Sequence, residues 1–241
     1  MTGSGMSDVQ TFEQDFAEIC SMEGPLKVRL EALTKIISIH GPEFAVAYEE
    51  LVGQLRAADA GGVAPQIGAI MPPFLLSDHN SHLVRLESML GKGPVVISFN
   101  RGHWCEYCDL ELRAFAAAHA EFTRCGARVV SIMPERLEFL RQVSERTNHT
   151  FLTLSDMDNS YAMELGLVIW LGERVQKLLS ASGLSLEKVQ GNNSWFVPIP
   201  ATFVLNDKGI IISRYADPDF RTRMDVDEIL AIVSSMHSGN G

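Results

Sequence analysis

The chain has 241 residues, 46% of them hydrophobic and 21% charged, with 19 Gly and 10 Pro. That is the composition of a soluble globular protein, and it excludes a disordered or fibrous one. Its 20 Lys and Arg against 30 Asp and Glu leave a net charge of -10, so phosphate backbones and anionic lipid repel it and neither nucleic acid nor a membrane is an expected partner. No apolar run approaches the roughly 18 residues of a membrane span. Residues 1–10 lack the charged and apolar regions of a signal peptide, which makes a cytoplasmic, reducing compartment the expectation.

From Ser7 to about Ala60 the pattern is helical. Phe12, Phe16, Ile19 and Cys20 recur at helical spacing, and Val28, Leu30, Leu33, Ile36 and Ile37 follow after Gly24-Pro25. Pro42 is placed to open a third helix lined by Phe44, Ala47, Tyr48, Leu51 and Leu55. Residues 1–62 thus read as a helical extension whose apolar faces need a partner, either the main domain (63–241) or a second subunit.

After Pro65 the pattern turns to strands. Phe74–Leu76 and Leu83–Leu86 are short candidates flanking a polar turn. Pro94 opens Val95-Val96-Ile97-Ser98-Phe99, a buried central strand. A helix is predicted from about Cys105 to Arg124, capped by Gly126, and a second buried strand from Ala127 to Met133. Strand, helix, strand at this spacing is a right-handed crossover between parallel strands. Glu135–Arg146 reads as a helix, Phe151–Leu154 as a short strand and Asp158–Leu165 as helical. Residues 166–197 are less readable, with a helix around Arg174–Leu179. Ala201–Leu205 and Ile210–Tyr215 form a hairpin across Asn206-Asp207-Lys208-Gly209, and Asp225–Met236 a terminal helix. The fold class is α/β, a mixed sheet flanked by helices.

Two of the four cysteines, Cys20 and Cys125, stand alone and read as plain thiols on helical segments. Cys105 and Cys108 form a Cys-x-x-Cys pair where a buried strand ends and a helix begins. Unpaired backbone N–H groups and the helix dipole favour a thiolate there, and the thiolate is the nucleophile. Two cysteines so spaced can also close a disulfide, one attacking and the other resolving. Half of a structural zinc site is the competing reading, but no second ligand pair accompanies His103. No metal is therefore expected. Arg101 favours the thiolate, whereas Glu106, Asp109 and Glu111 oppose it.

The stretch from Gly68 to about Val233 resembles the peroxiredoxin-like branch of the alkyl hydroperoxide reductase/thiol-specific antioxidant family, on a thioredoxin fold. Residues 71–78 resemble its opening strand, residues 99–112 its strand, active loop and helix, and residues 200–209 the cis-proline strand and hairpin of thioredoxin-like proteins. The resemblance implies thiol chemistry, no cofactor, a thioredoxin- or glutathione-type reductant and a homodimer. It leaves the nucleophile open. A thioredoxin-like alignment makes Cys105 the attacker, whereas a peroxiredoxin-like one gives that place to Cys108. Arg101 falls where the peroxiredoxin loop has proline, and Pro200 where a late arginine would steady the thiolate.

The leading expectation is a thiol peroxidase for hydrogen peroxide or alkyl hydroperoxides. Arg101 would support the thiolate, Trp104 and Tyr107 would shield the sulfurs and shape the entry, and Pro200 would pack against the disulfide. A thiol–disulfide oxidoreductase is the second reading. A redox-sensing binding module, with the helical extension reporting the dithiol state, is the third.

Overall fold

The computed structural model describes residues 10–238. The expected start of the first helix, from Ser7, lies outside the described residues as far as Val9. Three helices follow: α1 (Phe12–Ser21), α2 (Leu26–His40) and α3 (Pro42–Ala57). Thr11 caps α1 by accepting from the Gln14 N–H, and its own N–H donates to the Gln14 side chain, a reciprocal capping box. Pro42 occupies the first turn of α3, where its missing N–H costs nothing. Leu30, Leu33, Tyr48, Leu51 and Val52 point inward and join the same hydrophobic cluster as the sheet. The apolar faces are thus covered by the main body of this chain: α2 lies on the active-loop helix and α3 on a later one.

The sheet strands are β1 (Leu75–Asp78), β2 (Leu83–Arg85), β3 (Val95–Phe99), β4 (Arg128–Met133), β5 (Leu152–Ser155), β8 (Ala201–Leu205) and β9 (Ile211–Ala216). A separate two-stranded sheet pairs β6 (Val168–Trp170) with β7 (Phe196–Pro198). The seven strands run in the order β2-β1-β5-β4-β3-β8-β9, with β3, β4 and β5 parallel and the rest antiparallel to their neighbours. All five residues of β3 and of β8 are buried, as expected of central strands that are apolar but for Ser98 and Thr202. Each such Val, Ile, Leu or Phe contributes about 1.5–3 kcal/mol by leaving water. In the β8–β9 turn the Asn206 side chain accepts from the N–H groups of Lys208 and Ile210, and Gly209 takes φ 77°.

The remaining helices are α4 (Glu106–Ala117), α5 (His119–Arg124), α6 (Leu137–Thr147), α7 (Ser160–Glu164), α8 (Gly172–Ala181), α9 (Leu186–Gln190) and α10 (Val226–Ser238). The helix expected over Cys105–Arg124 is broken at Ala118, which sits at φ -90°, ψ 2°. The break lets Phe122 of α5 pack against Phe115 of α4, with ring centroids 5.9 Å apart. Residues 166–197 resolve into β6, two helices and β7, so this segment closes a small two-stranded sheet of its own.

All peptide bonds among the described residues are trans, including Ile199–Pro200. The cis-proline suggested by the thioredoxin-like resemblance is corrected accordingly. The chain reaches Pro200 in extended form, through β7 and an Ile199 N–H that donates to the Leu167 carbonyl. No tight turn precedes β8.

Candidate active site

β3 delivers the chain to Asn100, and the loop from Arg101 to Trp104 then turns into α4. Gly102 makes the turn at φ 140°. A Cβ there would stand 2.3 Å from the Glu135 carboxylate, so only glycine fits. Glu135, fully buried after β4, accepts from the His103 N–H at 2.9 and 3.0 Å and meets the His103 ring at 2.8 Å. The ring stacks on Phe139 at 4.8 Å. The loop is therefore pinned from α6 and the strand before it.

Cys105 is the N-cap of α4 and Cys108 sits in its first turn; both are buried free thiols. The Arg101 guanidinium donates to Cys105 Sγ at 3.1 Å, and the Arg101 backbone N–H to Cys108 Sγ at 3.4 Å. Arg223, from the segment between β9 and α10, reaches Cys108 Sγ at 3.5 Å. Burial pushes the Cys105 thiol up. The hydrogen bond from Cys108 and the guanidinium charges of Arg101 and Arg223 outweigh it and hold Cys105 well below the usual thiol range. Burial and the bond to Cys105 push Cys108 the other way, well above that range. One sulfur is thus prepared as a thiolate and its neighbour as a thiol.

The carboxylates expected to oppose the thiolate are mostly neutralised. Asp109 is bound by Arg113 and, at 2.6 Å, by Arg146. Glu111 is bound by Arg223 at 3.1 Å, both side chains being 1% exposed. Burial raises Glu106 first and the Cys105 charge raises it further, to about 7.

Arg101 is held by aromatic faces. It lies 3.7 Å over the Phe220 ring and 5.2 Å over Trp104. Phe220 meets Tyr48 of α3 edge-on at 4.9 Å and Tyr107 at 5.8 Å. Tyr107 is not at an entrance, as the sequence suggested. It is 1% exposed, and its hydroxyl meets Thr34 of α2 at 3.1 Å, so it ties the site to the helical extension. Burial raises its phenol to about 12. Trp104 is half-buried and lines a cavity beside the loop. Pro200 is buried at the start of β8, next to the point where the β3–β8 ladder ends at Phe99 and Ala201.

Sequence reasoning missed Arg223 and Phe220. Both lie more than a hundred residues from Cys105 in a segment without secondary structure, and only the fold brings them back. Arg223 supplies a second guanidinium beside the sulfurs, from a place in the chain well after Pro200. No group of three or more His, Cys, Asp or Glu suited to a metal occurs among the described residues.

Comparison with known proteins gives the family and the fold. The sequence model of the AhpC/TSA family matches residues 67–214. The chain is 25% identical over 169 residues to a chloroplastic peroxiredoxin Q of Sedum lineare, covering 70% of this chain and 78% of that protein. It is 26% identical over 157 residues to the thiol-disulfide oxidoreductase ResA of Bacillus subtilis, covering 65% and 71%. In three dimensions it resembles the peroxidoxin BcpB of Mycobacterium tuberculosis, with TM-score 0.55 and 20% identity, over 71% of this chain and 97% of that one. That likeness shows the shared peroxiredoxin-type thioredoxin fold. Thr34, Tyr48, Phe220 and Arg223 lie outside residues 67–214, the span of the family model. The chain belongs to the AhpC/TSA family and is a thiol oxidoreductase.

Proposed function

We propose that the protein is a dithiol peroxidase in which Cys105 attacks and Cys108 resolves. The observation that carries this reading is the pair of donors on Cys105 Sγ, the Arg101 guanidinium and the Cys108 thiol. The thiolate attacks one peroxide oxygen, the O–O bond breaks, and Cys105 becomes a sulfenic acid. Cys108, already within hydrogen-bonding reach, condenses with it to a disulfide and releases water. A thioredoxin-type dithiol restores both thiols by exchange. The peroxiredoxin relatives support peroxide as the substrate.

A second reading, reduction or oxidation of disulfides, draws on the similarity to the ResA oxidoreductases and on the Trp-Cys-x-x-Cys order of the motif. One experiment separates the two. Fully reduced protein is mixed with hydrogen peroxide, and thiol loss is followed in wild type, Cys105→Ser and Cys108→Ser. The expected result is fast oxidation that disappears in Cys105→Ser and survives in Cys108→Ser as a trappable sulfenic acid. Dependence on Cys108 alone would move the nucleophile. Oxidation no faster than that of an ordinary free thiol in every form would reject the peroxidase reading.

A further inference from the structure

A cavity of about 600 Å³ lies between the N-terminal helices and the active-site loop. Ile37, Phe44 and Tyr48 of the extension and Leu184 after α8 give it an apolar wall. Trp104 and Glu106, the residues on either side of Cys105, line it as well. Asp109 and Glu111, on the same helix, are tied to arginines. Glu106 has no cationic partner at ion-pair distance among the described residues. It is half-buried next to Cys105, and its own backbone N–H is the one group that hydrogen-bonds its carboxyl among the described residues.

We propose that Glu106 is a catalytic acid that protonates the atom expelled when Cys105 attacks, the cavity receiving the apolar body of that leaving group. The identity of the atom, a peroxide oxygen, rests on the peroxidase reading above. Cys105 Sγ forms a bond to one oxygen of an organic hydroperoxide, and the O–O bond breaks. The bonding pair goes to the other oxygen, which takes the Glu106 proton and leaves as an alcohol. Sulfur is oxidised to the sulfenic acid and the peroxide is reduced. Cys108 then forms the S–S bond and displaces hydroxide, which takes the Cys108 thiol proton to become water. Glu106 is left as a carboxylate and regains its proton when the disulfide is reduced. In the resting site it holds a proton while Cys105 is ionised, so acid and nucleophile are present together.

The carboxyl of Glu106 sits near 7 because burial and the Cys105 charge raise it while Arg101 and Arg146 oppose them. Glu13 from α1, His40 from α2 and Tyr48 from α3 face the same cavity, whereas the α8 side contributes only Leu179, Ser182, Gly183 and Leu184. His40 is already engaged by Asp15 at 2.6 Å. Loss of the Glu106 proton should therefore appear as a fall in rate above neutral pH.

The test is stopped-flow oxidation of reduced wild type, Glu106→Gln and Glu106→Asp between about pH 5 and about pH 9, with two oxidants. Cumene hydroperoxide expels an alkoxide that needs a proton. Perbenzoic acid expels a carboxylate that does not. Glu106→Gln is expected to react about 10²-fold more slowly with cumene hydroperoxide and to lose the fall above neutral pH. With perbenzoic acid the slowing should shrink to within about threefold. Glu106→Asp, which keeps an acid, should recover part of the rate. Equal slowing with both oxidants, or none with either, would overturn the proposal. If wild type reacts with peroxides no faster than a free thiol, the peroxidase reading falls. The same variants are then read with hydroxyethyl disulfide and with dithiobis(nitrobenzoate), whose aryl thiolate leaves unaided. Slowing confined to the aliphatic disulfide sustains Glu106 as the acid, and equal slowing removes it.

Discussion

Replacing Arg223 with Met isolates the energetic role of the arginine that sequence reasoning missed. In the native site Arg223 and Glu111 form a pair at 3.1 Å with both side chains 1% exposed, and Arg223 also donates to the Thr222 carbonyl at 2.7 Å. Met fills much the same volume but leaves the Glu111 carboxylate buried without its cation. Breaking one side of such a pair costs about 3–5 kcal/mol, a large share of a typical total of about 5–15 kcal/mol. Burial already raises Glu111 above the usual carboxylate range while Arg223 restrains it. Without Arg223 the carboxyl rises further. A group whose folded pKa is raised costs most above that pKa and least below the unfolded value, where it is protonated in both states. The penalty should be largest at about pH 8 and should shrink as pH falls towards about 5. Urea unfolding of the reduced wild type and variant at both pH values measures it, and the double change Arg223→Met/Glu111→Met should regain most of the loss. A loss below about 1 kcal/mol at pH 8, or one independent of pH, would refute the assignment of a structural ion pair behind Cys108.

Arg101→Met should raise the Cys105 pKa by at least about one unit, equivalent to about 1.4 kcal/mol, and slow alkylation about tenfold at pH values below the wild-type pKa. Titration of thiolate absorbance checks it, and an unmoved curve would count against Arg101 as the main support. His149 is buried between the hydroxyls of Thr147 and Thr153, at 2.6 and 2.8 Å, and burial lowers it to about 4. As pH falls, the unfolded chain protonates first, so stability is lost from about pH 6.5 down through the folded value, by up to about 3 kcal/mol. His149→Gln should flatten that acid limb in thermal or urea unfolding, and an identical limb in the variant would show that other groups produce it.

The sequence announced the strand–loop–helix that carries Cys105 and Cys108 because local chemistry defines it. An apolar run interrupted only by Ser98 makes β3, and the cysteine spacing marks the start of the helix after it. The Asn206–Gly209 hairpin was legible for the same reason. Arg101 could be assigned its place because it lies four residues from Cys105. Arg223 could not, since its approach depends on β9 reversing the chain and on Phe220 packing against Tyr48. Tyr107 carried the right neighbourhood but the wrong role, because its hydroxyl is claimed by Thr34 from a helix seventy-three residues earlier. The β6–β7 pair was unreadable, as each strand has three residues and its partner lies beyond two intervening helices. Ala118 gave no warning of a break, since neither glycine nor proline causes it.

The two guanidiniums beside the sulfurs also bear on how strongly the enzyme holds its electrons. They stabilise an anion that exists only while Cys105 is reduced. In the proposed cycle, closing the disulfide would remove that charge and leave Arg101 facing a neutral sulfur pair. The reduced state is favoured by the difference, which moves the couple towards the oxidising end of the scale, as for other dithiols with a stabilised thiolate. A disulfide formed here would therefore be readily reduced by a mild dithiol donor, as the proposed cycle requires after every turnover. In that cycle the same arginines that favour the thiolate would keep its oxidised product from becoming a resting state.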